Sequence, residues 1–142
     1  MTLSMARWEH FAHGADIGVR GFGESVEQAF EQAATALSAV VADVSTIRSR
    51  ETIEVECDAP DLELLLVSWL NRIIYEMAVR GMIFGTFHVV ISGCSLSGRL
   101  GGEVVDSERH QMAVEAKGAT VTALRVARGP AGEWIAQCVV DV

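Results

Sequence analysis

The stretch LELLLVSWLNRIIYEM, residues 62–77, decides the fold. Leu62, Leu65, Leu66, Trp69, Leu70, Ile73, Ile74 and Met77 recur at three- and four-residue spacing, which is the period of one helical face. Pro60 suits the first turn of such a helix, and Gly81 after Arg80 suits its end. A lighter stripe precedes it: Val26, Ala29, Phe30, Ala33, Leu37, Val40, Val41 and Val44, with Glu27, Gln28, Glu31 and Gln32 on the opposite face. Ser25 followed by Gln28 has the form of a capping box and fixes the start of this first helix near Ser25. Both segments read as amphipathic core helices.

Outward from the helices the chain alternates. Ile53, Val55 and Cys57 alternate with Thr52, Glu54 and Glu56, so one face of that strand is wet. Further strands are expected near residues 7–13, 17–23, 84–92, 95–105, 113–126 and 133–142. The tract holding Gly98, Gly101 and Gly102 is irregular, and a bulge or turn is expected there. Two helices among about seven strands indicate an α+β fold in one domain spanning residues 1–142. The simplest arrangement packs both helices on one face of a largely antiparallel or mixed β-sheet. No repeat, low-complexity tract or linker interrupts the chain.

Composition bounds the function. Half of the 142 residues are hydrophobic and 21% are charged, which excludes a disordered chain. No apolar run approaches about 18 residues. The N-terminus lacks a cationic stretch followed by an apolar core and a small-residue cleavage site, so a soluble cytoplasmic domain is expected. The net charge is -8, from 11 basic and 19 acidic side chains. Nucleic-acid binding draws most of its affinity from Lys and Arg at phosphates. A chain this acidic is a poor candidate for holding RNA or DNA alone, although it could sit beside RNA on a more basic partner. Cys57, Cys94 and Cys138 are odd in number and widely spaced, so they read as free thiols rather than a disulfide framework or zinc site.

Three places carry polar residues that a core does not require. His13-Gly14-Ala15-Asp16-Ile17-Gly18 lies between two strands, and taken alone it is equally well a turn. At the C-terminal end, Val139-Val140-Asp141-Val142 places a side-chain carboxylate one residue from the α-carboxylate. If Asp16 lies near them, three anionic oxygen donors meet, a set that favours Ca²⁺, Mg²⁺ or Mn²⁺ over zinc. A solvated terminus is the plainer alternative. The third place runs from Gly102-Glu103 through Asp106, Glu108, Arg109, His110, Glu115 and Lys117. Glu115 and Lys117 are two apart and would point the same way on a strand, where alternating charges ordinarily make a solvated face of weak ion pairs. There is no P-loop, G-x-S-x-G, H-E-x-x-H or Rossmann fingerprint, and no sign of an autonomous catalytic apparatus.

Taken in order, these pieces resemble the archease family. His13-Gly14-Ala15-Asp16-Ile17-Gly18 matches an opening H-T-A-D-I-G. Asp61-Leu62, Leu65-Leu66 and Trp69-Leu70-Asn71 match a D-L-x-x-L-L-v-x-W-L-N helix. Gly102-Glu103, Asp106, Arg109 and His110 follow a G-E…D-x-x-K/R-H pattern, and Glu115 to Thr120 an E-V-K-A-x-T strand. Trp134, Ala136, Asp141 and Val142 match the closing W-x-A-x-x-x-x-D-[IV]. Gly14 replaces Thr, Gly118 and Val121 replace Ala and Tyr, and Arg109 stands where many members have Lys.

The resemblance implies a protein that is not itself an enzyme. It implies an activator of the RNA ligase that joins 2′,3′-cyclic phosphate or 3′-phosphate ends to 5′-hydroxyl ends with GTP and Mn²⁺, in tRNA splicing or RNA repair. It further implies a divalent cation, calcium among the candidates, held by Asp16, Asp141 and Val142, with Arg109, Glu115, Lys117 and His13 turned to activation and the partner. RNA would be met only through that partner, with no DNA and no membrane. Two other readings use the same residues. One is a chaperone-like modulator of another RNA-modifying enzyme, such as a tRNA methyltransferase. The other is a small metal-dependent phosphoesterase with His13 or His110 as its base.

Overall fold

In the computed structural model, which describes residues 5–142, strand β1 (Arg7–His13) turns back into β2 (Asp16–Gly23) and then into helix α1 (Val26–Val41). A single 3₁₀ turn (Val44–Thr46) leads to β3 (Glu51–Asp58) and helix α2 (Leu62–Arg80). The hairpin β4 (Met82–Ser92) and β5 (Ser95–Val104) follows, then the short helix α3 (Ser107–His110). The chain closes with β6 (Gly118–Ala119), β7 (Arg125–Arg128) and β8 (Trp134–Asp141).

The expected α+β class is met, and every strand pairing is antiparallel. The strands divide between two sheets. β1, β2 and β8 form one, with β6 and β7 both on the far side of β8, while β3, β5 and β4 form the other. Each helix touches both sheets. Alternation shows which side of a strand is buried but not which strand lies beside it, so it could not reveal this division.

Local signals place the helices well. Ser25 caps α1, its Oγ accepting from Gln28 N at 3.1 Å, while Gln28 Oε1 accepts from Glu24 N at 2.8 Å. Asp61, not Pro60, begins α2: its Oδ1 accepts from Leu64 N at 2.8 Å, and Pro60 lies just outside the helix. Gly81 ends α2 at φ 62, the left-handed conformation that favours glycine. The first helix stops three residues short of Val44, because the Asp43 side chain accepts from Ser45 N at 3.1 Å and starts the 3₁₀ turn instead. Trp69, fully buried, anchors the core; its indole donates to Phe30 O at 3.1 Å, and its ring occupies the space that a side chain at Gly98 would fill.

Two strand expectations change. The bulge lies on β4 at Gly85, opposite the Gly101–Gly102 pair and not within it. A side chain at Gly102 would overlap Ile83 O, so the glycines stay flat and their partner strand takes up the extra residue. A continuous strand over 113–126 is absent. Residues 112–117 have no regular secondary structure and lie outside both sheets, Gly118–Ala119 pairs briefly with β8, and Ala123 at φ 55 turns the chain before β7.

Candidate functional site

The β2–β8 ladder brings the two ends of the sequence together. Ile17 pairs with Val140, so one step further in register sets Asp16 opposite Asp141. His13 pairs with Asp16 across the β1–β2 hairpin, whose turn uses Gly14 at φ 59. Side chains alternate along strands, and Gly21, an odd position, abuts the α1 backbone at Ala29 and Ala33. His13, Asp16 and Asp141 therefore form one row on the face turned away from α1. Val142 N donates to Asp16 Oδ1 at 3.2 Å, tying the last residue of the sequence to the start of β2. Among the described residues no group of three His, Cys, Asp or Glu side chains is arranged to hold a metal ion.

The glycine two residues beyond Asp16 has a steric reason. A Cβ at Gly18 would overlap the Phe11 ring, which lies across that position. The Arg20 guanidinium covers Phe11, 4.4 Å from the ring centroid, and Arg7 covers Phe22 at 3.6 Å. Glu9 accepts from both arginines and is held below its usual carboxylate value, first by Arg7. Aromatic rings and guanidinium groups thus cover this outer face of the sheet.

Residues 117–119 reach the row through two clamps. Lys117 N donates to Asp141 O at 2.8 Å. Asn71, on α2, holds both polar groups of Ala119: its Nδ2 donates to Ala119 O at 3.1 Å and its Oδ1 accepts from Ala119 N at 2.8 Å. Thr120 then donates to Val139 O through its amide at 3.0 Å and its hydroxyl at 2.9 Å. Asn71 and Thr120 went unassigned in the sequence. The available signal was the Asn that closes Trp69-Leu70-Asn71 on the amphipathic helix α2. Glu115 and Lys117 are exposed on either side of buried Ala116, so they point the same way although no strand forms, and neither side chain has a partner among the described residues.

Glu103, Arg109 and His110 form a separate, inward-facing network. Glu103 is 3% exposed. Arg109 binds it with both arms of its guanidinium, at 2.9 and 2.7 Å, and also donates to Thr46 O at 2.7 Å. Arg48 N donates to the same carboxylate at 2.7 Å, and Arg50 lies 3.3 Å away. The Arg109 contact, seconded by the Arg48 amide, holds the Glu103 carboxyl far below its usual range. His110 is fully buried; its Nδ1 accepts from Asp106 N at 2.9 Å, which leaves the proton on Nε2 to meet Glu103 Oε2 at 2.9 Å. With both ring nitrogens engaged, His110 is unavailable as a general base. Far from a solvated face of weak pairs, this hub ties the 48–50 segment and α3 to β5, and Arg109 makes no contact with Asp16 or Asp141.

Comparison with known proteins follows the same outline. Residues 8–142 match the family described as Archease protein family (MTH1598/TM1083). Protein archease of Pyrococcus furiosus is 39% identical over 142 residues, covering 97% of this chain and 100% of that one. Protein archease of Thermococcus gammatolerans is 42% identical with the same coverage. The solution structure of Methanobacterium thermoautotrophicum protein 1598 superposes with a TM-score of 0.81 at 28% identity, covering 95% of this chain and 98% of that one.

Proposed function

The chain belongs to the archease family, and from that membership we propose that it is a non-catalytic accessory protein of RNA processing. Its partner on this reading is the GTP- and Mn²⁺-dependent RNA ligase that joins 3′-phosphate to 5′-hydroxyl ends, and its role is to promote guanylylation and multiple turnover. The observation that carries the reading is the meeting of Asp16 with the end of the sequence, 3.2 Å from Asp16 Oδ1 to Val142 N.

The donors fit a hard dication. Asp16 and Asp141 are like charges placed opposite each other in an antiparallel ladder, an arrangement that is unfavourable until a cation neutralises it. Asp16, Asp141 and the Val142 carboxylate would hold Ca²⁺, Mg²⁺ or Mn²⁺, all of which prefer oxygen donors. Such an ion supplies charge neutralisation at phosphate oxygens during nucleotidyl transfer. The chain's own contribution is positional: the β2–β8 ladder fixes the carboxylates, the Asn71 clamp holds Lys117 beside them, and the Glu103 hub fixes the segment that carries Arg109.

The test is labelling of the cognate ligase by GTP and Mn²⁺, with and without this protein and with Asp16→Ala. Faster labelling that Asp16→Ala fails to give is the expected outcome. A C-terminal extension should abolish stimulation and leave the melting temperature unchanged. Full stimulation by a C-terminally tagged chain would overturn the role of the Val142 carboxylate. No effect of the wild-type chain would overturn the ligase reading.

A further inference from the structure

On the helix side of the same end of the molecule lies an open trough of about 520 Å³, between the second half of α2 and the segment 112–117. Its lining is largely apolar and rich in methionine, with Met77, Met82 and Met112. Three apolar side chains on its walls stand in solvent: Tyr75 at 57%, Met112 at 38% and Val114 at 44% exposure. Val79 and Val104 are also exposed, at 58% and 64%, and do not line the trough. An apolar patch gathered about an open trough marks an interaction surface, and methionines suit one that must mould to a partner side chain.

We propose that this trough receives a basic amphipathic helix of the RNA ligase, which anchors the ligase beside the carboxylate row. The inference rests on the ligase reading above and adds to it the surface and the recognition chemistry.

Three observations favour this occupant. The trough and the row meet at residue 117, which lines the trough and whose amide binds Asp141 O. A segment seated in the trough therefore ends next to Asp16, Asp141 and Glu115. The charge there is complementary to a cationic partner. Asp16, Asp141 and Glu115 stand near a single basic side chain on that stretch, Lys117, so this end of the trough carries an excess of acid. An RNA-binding ligase must carry Lys and Arg near its substrate. Finally, the open trough walled by a helix and an irregular segment has the form in which a helix buries anchors at i, i+3 or i+4, and i+7.

The experiment is binding of the purified full-length chain to the purified ligase, with Met112→Glu, Val114→Glu and Tyr75→Ala beside wild type. Val90→Glu serves as a control, since Val90 is 53% exposed toward the far end of β4 and outside the trough. Trough variants should bind at least tenfold more weakly, reach half-maximal stimulation at correspondingly higher protein concentration, and keep the wild-type plateau. The control should stay within twofold, Mn²⁺ binding by the chain alone should be unchanged throughout, and wild-type affinity should fall with added salt. Tyr75→Ala introduces no charge, so it decides the matter if a glutamate variant melts early. Trough variants that bind like wild type would overturn the proposal and leave the ligase reading standing. So would a dimer of this chain that Met112→Glu splits, or a small amphiphile found in the trough by native mass spectrometry. A wild-type chain that neither binds the ligase nor stimulates it would overturn both.

Discussion

Asn71→Ala should detach the segment carrying Lys117 from the carboxylate row while leaving the core standing. The substitution removes two side-chain–backbone hydrogen bonds, at 3.1 and 2.8 Å, and leaves both polar groups of Ala119 without that partner. Each such bond contributes about 1 kcal/mol net, so the loss is about 2 kcal/mol, and it is larger if water cannot reach the freed groups. Ala119 is 8% exposed, which favours the larger value. Nothing in the hydrophobic floor of α2 is removed, because Trp69, Leu70 and Ile73 pack as before. Urea unfolding should therefore shift its midpoint down by about 1 M for a slope near 2 kcal/mol per M, with the slope unchanged. Hydrogen exchange supplies the local readout: the amide of Ala119 should lose protection, while those of α2 and the β2–β8 ladder keep theirs. A midpoint shift worth under about 0.5 kcal/mol with Ala119 still protected would refute the clamp. On the proposed reading, the same variant stimulates the ligase less at every cation concentration.

Gly18→Ala should destabilise the fold by about 1–3 kcal/mol, since its methyl group overlaps the Phe11 ring, and Phe11→Leu in the same chain should restore part of the melting temperature. Glu103 has a folded pKa far below its usual 4.5, so its pairing stabilises the protein fully above about pH 4.5 and is lost as pH falls through the acid range below it. Glu103→Gln should accordingly flatten the drop in stability below pH 4.5, leaving the smaller contributions of Glu9 and Glu76, and a pH series of melts that matches wild type would count against the hub. Of the three thiols, only half-buried Cys94 should react promptly with a thiol reagent in the native protein; burial pushes Cys138 up to about 12 and raises Cys57 as well, so two or three fast equivalents would contradict the packing.

Much of the fold was legible because its signals are local. Helical periodicity, the Ser25 cap and the Gly81 stop each depend on residues within a few positions, and each stands where the sequence puts it. The small failures, Val44 beyond the end of α1 and Pro60 outside α2, come from nearby capping side chains, whereas the larger ones involve partners distant in the chain. A uniform strand over 113–126 looked plausible by alternation, but Asn71 claims the backbone of Ala119, and the chain turns at Ala123 before β7 can pair. The charges of the third polar stretch looked like a solvated face because sequence spacing cannot show that Glu103 points inward to meet a main-chain amide from residue 48. Asp16 and Asp141 sit at opposite ends of the sequence, so only strand pairing brings them together. Residue type suggested cation chemistry at each; their shared row became visible with the register.

That register also explains how such a site can be carried at the margin of a small domain. Opposed carboxylates in the middle of a ladder would disturb pairing on both sides, whereas Asp16 and Asp141 stand one step beyond the Ile17–Val140 pair that ends the β2–β8 ladder. The strain of the like charges is confined to the row, and the row is braced by contacts that do not touch the carboxylates' free oxygens: the Val142 amide on one oxygen of Asp16, and the Lys117 amide on the main-chain oxygen of Asp141. Phe11 over Gly18, two pairs further in on the same face, covers the ladder beside the row. The result is a pair of acidic side chains fixed in direction yet open to solvent. That is the condition under which a dication could be taken up from solution, or yielded to a partner, without unfolding the strands that present it.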